Sequence, residues 1–277
     1  MKNKIGMNLL LWGSDIDERL FPKLELIKEI GYEGVEIPIF NTKPEAWYSW
    51  RTKLDELGLE RIAVTINGAG ESFISSDPKE RKYALERNKL ALDCALVLGS
   101  DLLTGPFHSA LGVFTGFKAS DKERLWAKEG IWDLAEYADS LGITLGLEYL
   151  NRFESYLVSC TDELLDLVNY INHPACKIMF DTFHANIEET SMTEAIQKIG
   201  DKLVHVQLSE NNRGTLGKGR VEIQEVLDAL KSINYNGMLS IEAFSEKLSA
   251  ANIWRKMFET EEQLMKDSYD YLKNIIQ

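Results

Sequence analysis

Cysteine, histidine, proline and positive charge are all scarce in this chain, and each shortage closes off a class of protein. Three cysteines occur among 277 residues. Cys94, Cys160 and Cys176 are odd in number, widely spaced and form no CxxC. A disulfide framework and a thiolate zinc site are therefore not expected, and a reducing, cytoplasmic setting fits. Lysine and arginine total 31 against 44 aspartates and glutamates, giving a net charge of -13 and a pI near 4.9. Nucleic acid and anionic membranes attract basic surfaces, so neither is an expected partner. The opening "IGMNLLLW" is too short to span a bilayer, and the "GSD" after it offers no small-residue cleavage site, so it reads as a strand. With six prolines in all, no Pro/Ser-rich linker divides the sequence, nor does a charge block or low-complexity run. One domain over residues 1–277 is the expectation.

What is present is 44% hydrophobic content, laid out as a repeating rhythm of short apolar strand, polar loop and longer amphipathic segment. Strands are predicted at 4–12, 34–39, 61–67, 101–106, 143–150, 176–183, 203–209 and 237–244. Helical patterns lie between them. "LFPKLELIKEIGY" carries apolar residues at 20, 24, 27 and 30, with Gly31 where a helix C-cap belongs. "SDPKERKYALERNKLALDCALVLG" has Ser76 and Asp77 as caps, Pro78 in the first turn and Gly99 at the end. "DKERLWAKEGIWDLAEYADSLG" ends likewise at Gly142, and a last helix is predicted over about 254–275. Eight strand–helix units predict an α/β fold, a (β/α)8 TIM barrel. A doubly wound open sheet is the alternative, disfavoured because no GxGxxG follows the first strand.

In such a barrel the active site lies at the C-terminal ends of the strands. Four consecutive predicted strands, the fifth to the eighth, carry polar residues near that end: Glu148, Asp181, Gln207 and Glu242. Three buried carboxylates repel one another strongly unless a cation lies between them. With Gln207 as an amide oxygen donor the set is all hard oxygen, which suits Mn²⁺, with Mg²⁺ or Co²⁺ as alternatives, better than zinc. In "LVHVQLSENNRG" the alternation places Leu203, His205, Gln207 and Ser209 on one strand face. His205 lies about 6.6 Å before Gln207 along the strand, one layer deeper. It reads as a packed core histidine with a buried hydrogen-bond partner.

The stretches "GPFHSALG" (105–112), "EYLNRFE" (148–154), "FDTFHANIEE" (180–189), "SENNRGTLGKGR" (209–220) and "SIEAF" (240–244) resemble the xylose isomerase-like barrel superfamily, nearest to its ketose 3-epimerases. The resemblance implies a carbohydrate epimerase that interconverts free ketoses such as D-tagatose, D-fructose and D-allulose. Proton transfer at C3 would pass through a metal-stabilised cis-enediolate. It also implies that Glu148, Asp181, Gln207 and Glu242 hold one divalent ion, and that Glu148 and Glu242 are the catalytic acid and base. Gln207 stands where the epimerases have histidine, a departure shared with hydroxypyruvate isomerases. His184 and Arg213 would bind the oxygens at C2 and C1, and Glu154 the nearby hydroxyls. By position alone, Trp12 at the end of the first strand reads either as a ring stacked on the sugar or as core filler, and Asn67 and Gly68 after the third strand, with Gly105 and Phe107 after the fourth, as the wall around the far end of the substrate. The resemblance further implies a homodimer or homotetramer.

Three other readings remain open. An aldose–ketose or hydroxypyruvate-type isomerase would move the proton between C1 and C2. A sugar-phosphate epimerase would use Lys218 and Arg220 in the Gly-rich loop "RGTLGKGR". A non-catalytic sugar-binding barrel would bind without proton exchange. A multi-zinc nuclease of the same superfamily is disfavoured, because the histidines are only His108, His173, His184 and His205.

Overall fold

The computed structural model describes residues 2–276. Its parallel strands are β1 (Ile5–Asn8), β2 (Gly34–Pro38), β3 (Glu60–Val64), β4 (Leu102–Gly105), β5 (Thr144–Leu147), β6 (Cys176–Asp181), β7 (Leu203–Leu208) and β8 (Leu239–Ile241). They close in sequence order into a barrel, with β1 paired to β8. Closure excludes the open doubly wound sheet. The helices are α1 (Phe21–Ile30), α2 (Tyr48–Leu57), α3 (Pro78–Leu98), α4 (Asp121–Ser140), α5 (Thr161–Ile171), α6 (Thr182–Glu188), α7 (Met192–Ile199), α8 (Ile223–Ser232) and α9 (Glu261–Ile275). None of the described helices is long and apolar enough to cross a membrane.

Helix boundaries follow local chemistry. Asp77 caps α3 by accepting the Lys79 N–H, Pro78 opens it, and Gly99 closes it in the left-handed region. In α5 the buried Leu164, Leu167, Val168 and Ile171 recur at helical spacing and face the barrel. α8 repeats this with Ile223, Val226, Leu227 and Leu230. At the end of β4, Gly105 sits at φ 125°, and a Cβ there would lie 2.1 Å from the Thr65 carbonyl oxygen. Only glycine lets these two segments approach so closely.

Several predicted segments end early. β1 stops at Asn8, whose side-chain oxygen accepts the Leu10 N–H at 2.8 Å and turns Leu9–Trp12 into a 3-10 helix. β6 stops at Asp181, which caps α6 through the Phe183 N–H, so Thr182 and Phe183 are helical. α9 starts at Glu261 behind its Thr260 cap, leaving 254–260 as a loop.

Candidate active site

The ends of β5 to β8 carry the four residues singled out from the sequence. Glu148 directly follows β5, Asp181 ends β6, Gln207 lies in β7, and Glu242 directly follows β8. Asp181 and Gln207 are register partners, so both side chains leave the sheet on the same side. All four residues are buried. Glu148, Gln207 and Glu242 line a cavity of about 810 Å³ at this mouth of the barrel, together with Glu154, His184, Arg213 and Asn67. Asp181 lies against it through Arg213 and His184.

Arg213 is the hub of the charges. Its Nη1 donates to Asp181 Oδ2 at 2.7 Å, to Ser209 Oγ at 2.9 Å and to the Glu242 carboxylate. The guanidinium lies 3.8 Å from the ring centre of Phe183 and 4.5 Å from that of Phe244, so two aromatic faces hold it. Arg213 itself adopts a left-handed backbone, φ 57°, a conformation that the surrounding contacts must maintain. Asn8 Nδ2 donates to Glu242 Oε1 at 2.8 Å and fixes that carboxylate from the β1 side.

The carboxylates are pushed apart in proton affinity. Burial lifts Glu148 well above the usual carboxylate range, and Asp181 and Glu242 add to it. Glu242 is lifted as well, burial and Asp181 outweighing the pull of Arg213. Burial acts to raise Asp181, but Arg213, His184 and the Phe183 N–H bring it below its ordinary value. Burial lowers His184 to about 4, against the opposing pull of Asp181, so its ring is neutral at pH 7.

His184 Nδ1 accepts the Asn151 backbone N–H at 3.0 Å. A neutral ring so engaged carries its proton on Nε2. That nitrogen faces Glu148 Oε1 and Asp181 Oδ2, both at 3.5 Å. Arg213 Nη2 approaches it at 3.3 Å, a longer contact than the Asn151 bond at 3.0 Å that sets the tautomer. His184 therefore presents a donor to the cavity rather than a lone pair. It is nonetheless part of the buried Glu148–Asp181–His184 group, whose ligand atoms lie within 4.8 Å of one another and could hold a metal ion.

The donor chemistry fits a hard divalent cation. The fit is sharpest at Gln207, whose Oε1 is buried without a hydrogen-bond partner while its Nε2 is engaged. A buried, orphaned carbonyl oxygen is a costly arrangement unless a cation or donor meets it.

The remaining sequence-derived residues divide. Glu154 lines the cavity and accepts from Asn151 Nδ2 at 2.9 Å, whereas Arg152 turns away to pair with Glu188. Asn67 lines the cavity with both ends of its amide engaged, donating to the Phe107 carbonyl at 2.8 Å and accepting from Asn88. Two residues lie elsewhere. Phe107 is wholly buried in the hydrophobic core, and Pro106 takes its place on the cavity wall. Trp12 packs partly buried against the core, because the 3-10 turn after Asn8 brings Leu10, not Trp12, to the wall. His108 is a packing residue, contacting the Glu148 backbone carbonyl and Ser109, and burial lowers it to about 4. His205 has the buried partner expected of it: Glu36 of β2, at 2.6 Å. Glu36 and Asn8 were not picked out by the sequence pattern. Their mark was a lone polar side chain inside a short apolar strand.

The model of the xylose isomerase-like TIM barrel family matches residues 24–275. A D-psicose 3-epimerase of Agrobacterium fabrum is 42% identical over 246 residues, covering 87% of this chain and 85% of its own. A D-psicose 3-epimerase of Enterocloster bolteae is 31% identical over 96% of this chain and 92% of its own. The crystal structure of a D-allulose 3-epimerase from Methylomonas sp. in complex with D-allulose superposes with a TM-score of 0.92 at 28% identity, covering 99% of this chain and 97% of the other. With the closed barrel and its polar mouth, these matches show that the chain belongs to the xylose isomerase-like TIM-barrel family.

Proposed function

We propose that this protein is a carbohydrate epimerase, a ketose 3-epimerase that acts on free ketoses of the D-fructose, D-tagatose and D-allulose kind. The observation that carries the proposal is the pair of buried carboxylates, Glu148 and Glu242, that burial keeps able to hold a proton beside one cavity. Inverting C3 needs a base on one face of the sugar and an acid on the other. The names of the relatives support the same reading.

Glu148, Asp181, Gln207 and Glu242 would hold one divalent cation, best suited to Mn²⁺, which when bound supplies Lewis-acid polarisation of the ketose carbonyl. The chain's own groups do the rest. One of Glu148 and Glu242 takes the proton from C3, and the other delivers a proton to the opposite face of the resulting enediolate. His184, with its proton on Nε2, donates to the oxygen at C2. Arg213 is held rigidly enough by Phe183, Phe244 and Asp181 to orient the oxygen at C1. Glu154 accepts from the neighbouring hydroxyls.

An unphosphorylated substrate is favoured by the charges around the cavity. Its lining cations are Arg87 and Arg213. Arg213 is neutralised by Asp181 and Glu242, and Arg87 lies 3.7 Å from Glu71 and donates to Thr65 and the Ile39 carbonyl. Lys218 and Arg220 of the Gly-rich loop are exposed and outside the lining, and Lys218 pairs with Asp267. A second reading, proton transfer between C1 and C2, is favoured by the amide of Gln207 in the ligand set. Chromatography after incubation with each ketose and Mn²⁺ separates the two. A C3 epimer supports the first reading, and an aldose supports the second.

A further inference from the structure

A primary amide can ligate a cation only through its oxygen, and a half-turn of the side chain replaces that oxygen with an NH₂ group that cannot. Something must therefore decide which end of Gln207 faces the cavity. Glu36 lies beneath it, fully buried on β2, and reaches across the barrel. Gln207 Nε2 sits 3.1 Å from Glu36 Oε1 and 3.2 Å from Oε2. Carboxylate oxygens accept, so the amide must turn its N–H groups down and its oxygen up. The reversed amide would set its oxygen against the Glu36 carboxylate and leave its N–H groups without these acceptors. Glu36 is in turn held from below by His205 Nε2 at 2.6 Å. The result is a buried stack, His205–Glu36–Gln207, ending in the unpartnered Gln207 Oε1.

We infer that Glu36 is a positioning residue that fixes the Gln207 amide with its oxygen toward the cation site. The inference rests on the proposed cation site. It also explains how the site can accept glutamine in the histidine position. A histidine at 207 would donate one ring N–H to Glu36 and aim its other nitrogen at the cation, the usual partnership of a carboxylate with a ligating imidazole.

The test is Mn²⁺ binding by the full chain stripped with EDTA, read by electron paramagnetic resonance of free Mn²⁺, for the parent, E36Q, Q207A, the double variant and Q207H. Glu36→Gln keeps the shape but offers one acceptor oxygen instead of two, and affinity is expected to fall about 10–100-fold. In the double variant, E36Q should cost nothing beyond Q207A, because a residue acting through Gln207 has nothing left to position. Q207H should stay within about tenfold of the parent, and it carries the test if E36Q does not fold. Unchanged affinity in E36Q, additive losses in the double variant, or a loss in Q207H beyond about 100-fold overturns the role of Glu36. A parent chain that binds no Mn²⁺ overturns the cation site as well, which separates the two failures.

Discussion

Arg213→Met removes a positive charge shared by two buried carboxylates, and the cost can be worked from the contacts. Arg213 Nη1 pairs with Asp181 at 2.7 Å and with Glu242, whose side chains are 0% and 5% exposed. Removing one partner of a buried ion pair costs about 3–5 kcal/mol, because the survivor stays desolvated and unpaired. Two survivors remain here, so the upper part of that range applies. Methionine keeps an unbranched apolar stem against Phe183 and Phe244, and the left-handed backbone is equally strained for both residues. The loss is therefore electrostatic, and it corresponds to a drop in Tm of about 7–9 °C for a chain of this size.

Its pH dependence has a definite sign. Arg213 helps hold Asp181 below its ordinary value of 3.8, which contributes stability above that pH and loses it below. Without Arg213, burial raises both carboxyls, and a raised carboxyl destabilises increasingly as pH climbs above its unfolded value. The deficit of R213M is thus largest near neutrality and narrows as pH falls toward 4. Urea unfolding followed by circular dichroism at pH 7 and pH 4.5, with EDTA present, measures it. A stability within about 0.5 kcal/mol of the parent, the range of ordinary surface substitutions, would refute the shared-charge argument. So would an equal deficit at both pH values.

Glu148→Gln and Glu242→Gln each keep the side-chain shape but cannot take up a proton, and each should lower kcat by about 10²–10⁴-fold. A loss of less than tenfold in a steady-state assay of C3 epimer formation would remove that carboxylate from the proton-transfer pair. Burial lowers His108 from 6.5 to about 4, so its neutral ring contributes stability above pH 6.5 that is lost as pH falls toward 4. Between pH 7 and pH 5 this amounts to about 2 kcal/mol, a decline that His108→Gln should lack. Equal declines in parent and variant would contradict it. Gly105→Ala would drive a methyl group to 2.1 Å from the Thr65 carbonyl at φ 125°, costing about 3 kcal/mol. A change under 1 kcal/mol in urea unfolding would show that β4 and Thr65 are not held so close.

Much of this molecule was legible because its rules are local. Gly31, Gly99 and Asp77 end or cap helices where turn chemistry says they should. The polar ends of β5 to β8 stand out because barrel strands are otherwise apolar. Where apolar residues run on without a break, the pattern fails. "MNLLLW" reads equally as strand or as strand plus 3-10 turn, and only the Asn8 side chain, bonding to Leu10 N–H, decides. The misplacement of Trp12 follows from that ambiguity. Cross-barrel partners are harder still. Glu36 and His205 are 169 residues apart, and no local rule pairs them. The need for a partner of His205 was readable from its burial, but the identity of that partner depends on strand register and barrel closure.

The central claim is inversion at C3, and NMR in D₂O tests it most directly. The protein with Mn²⁺ is incubated with D-fructose, D-tagatose and D-allulose, and the experiment is repeated after EDTA treatment. The account predicts solvent deuterium at C3, a new C3 epimer in the same samples, and loss of both with EDTA. Deuterium at C1 with an aldose product would contradict it, and so would the absence of any metal-dependent exchange.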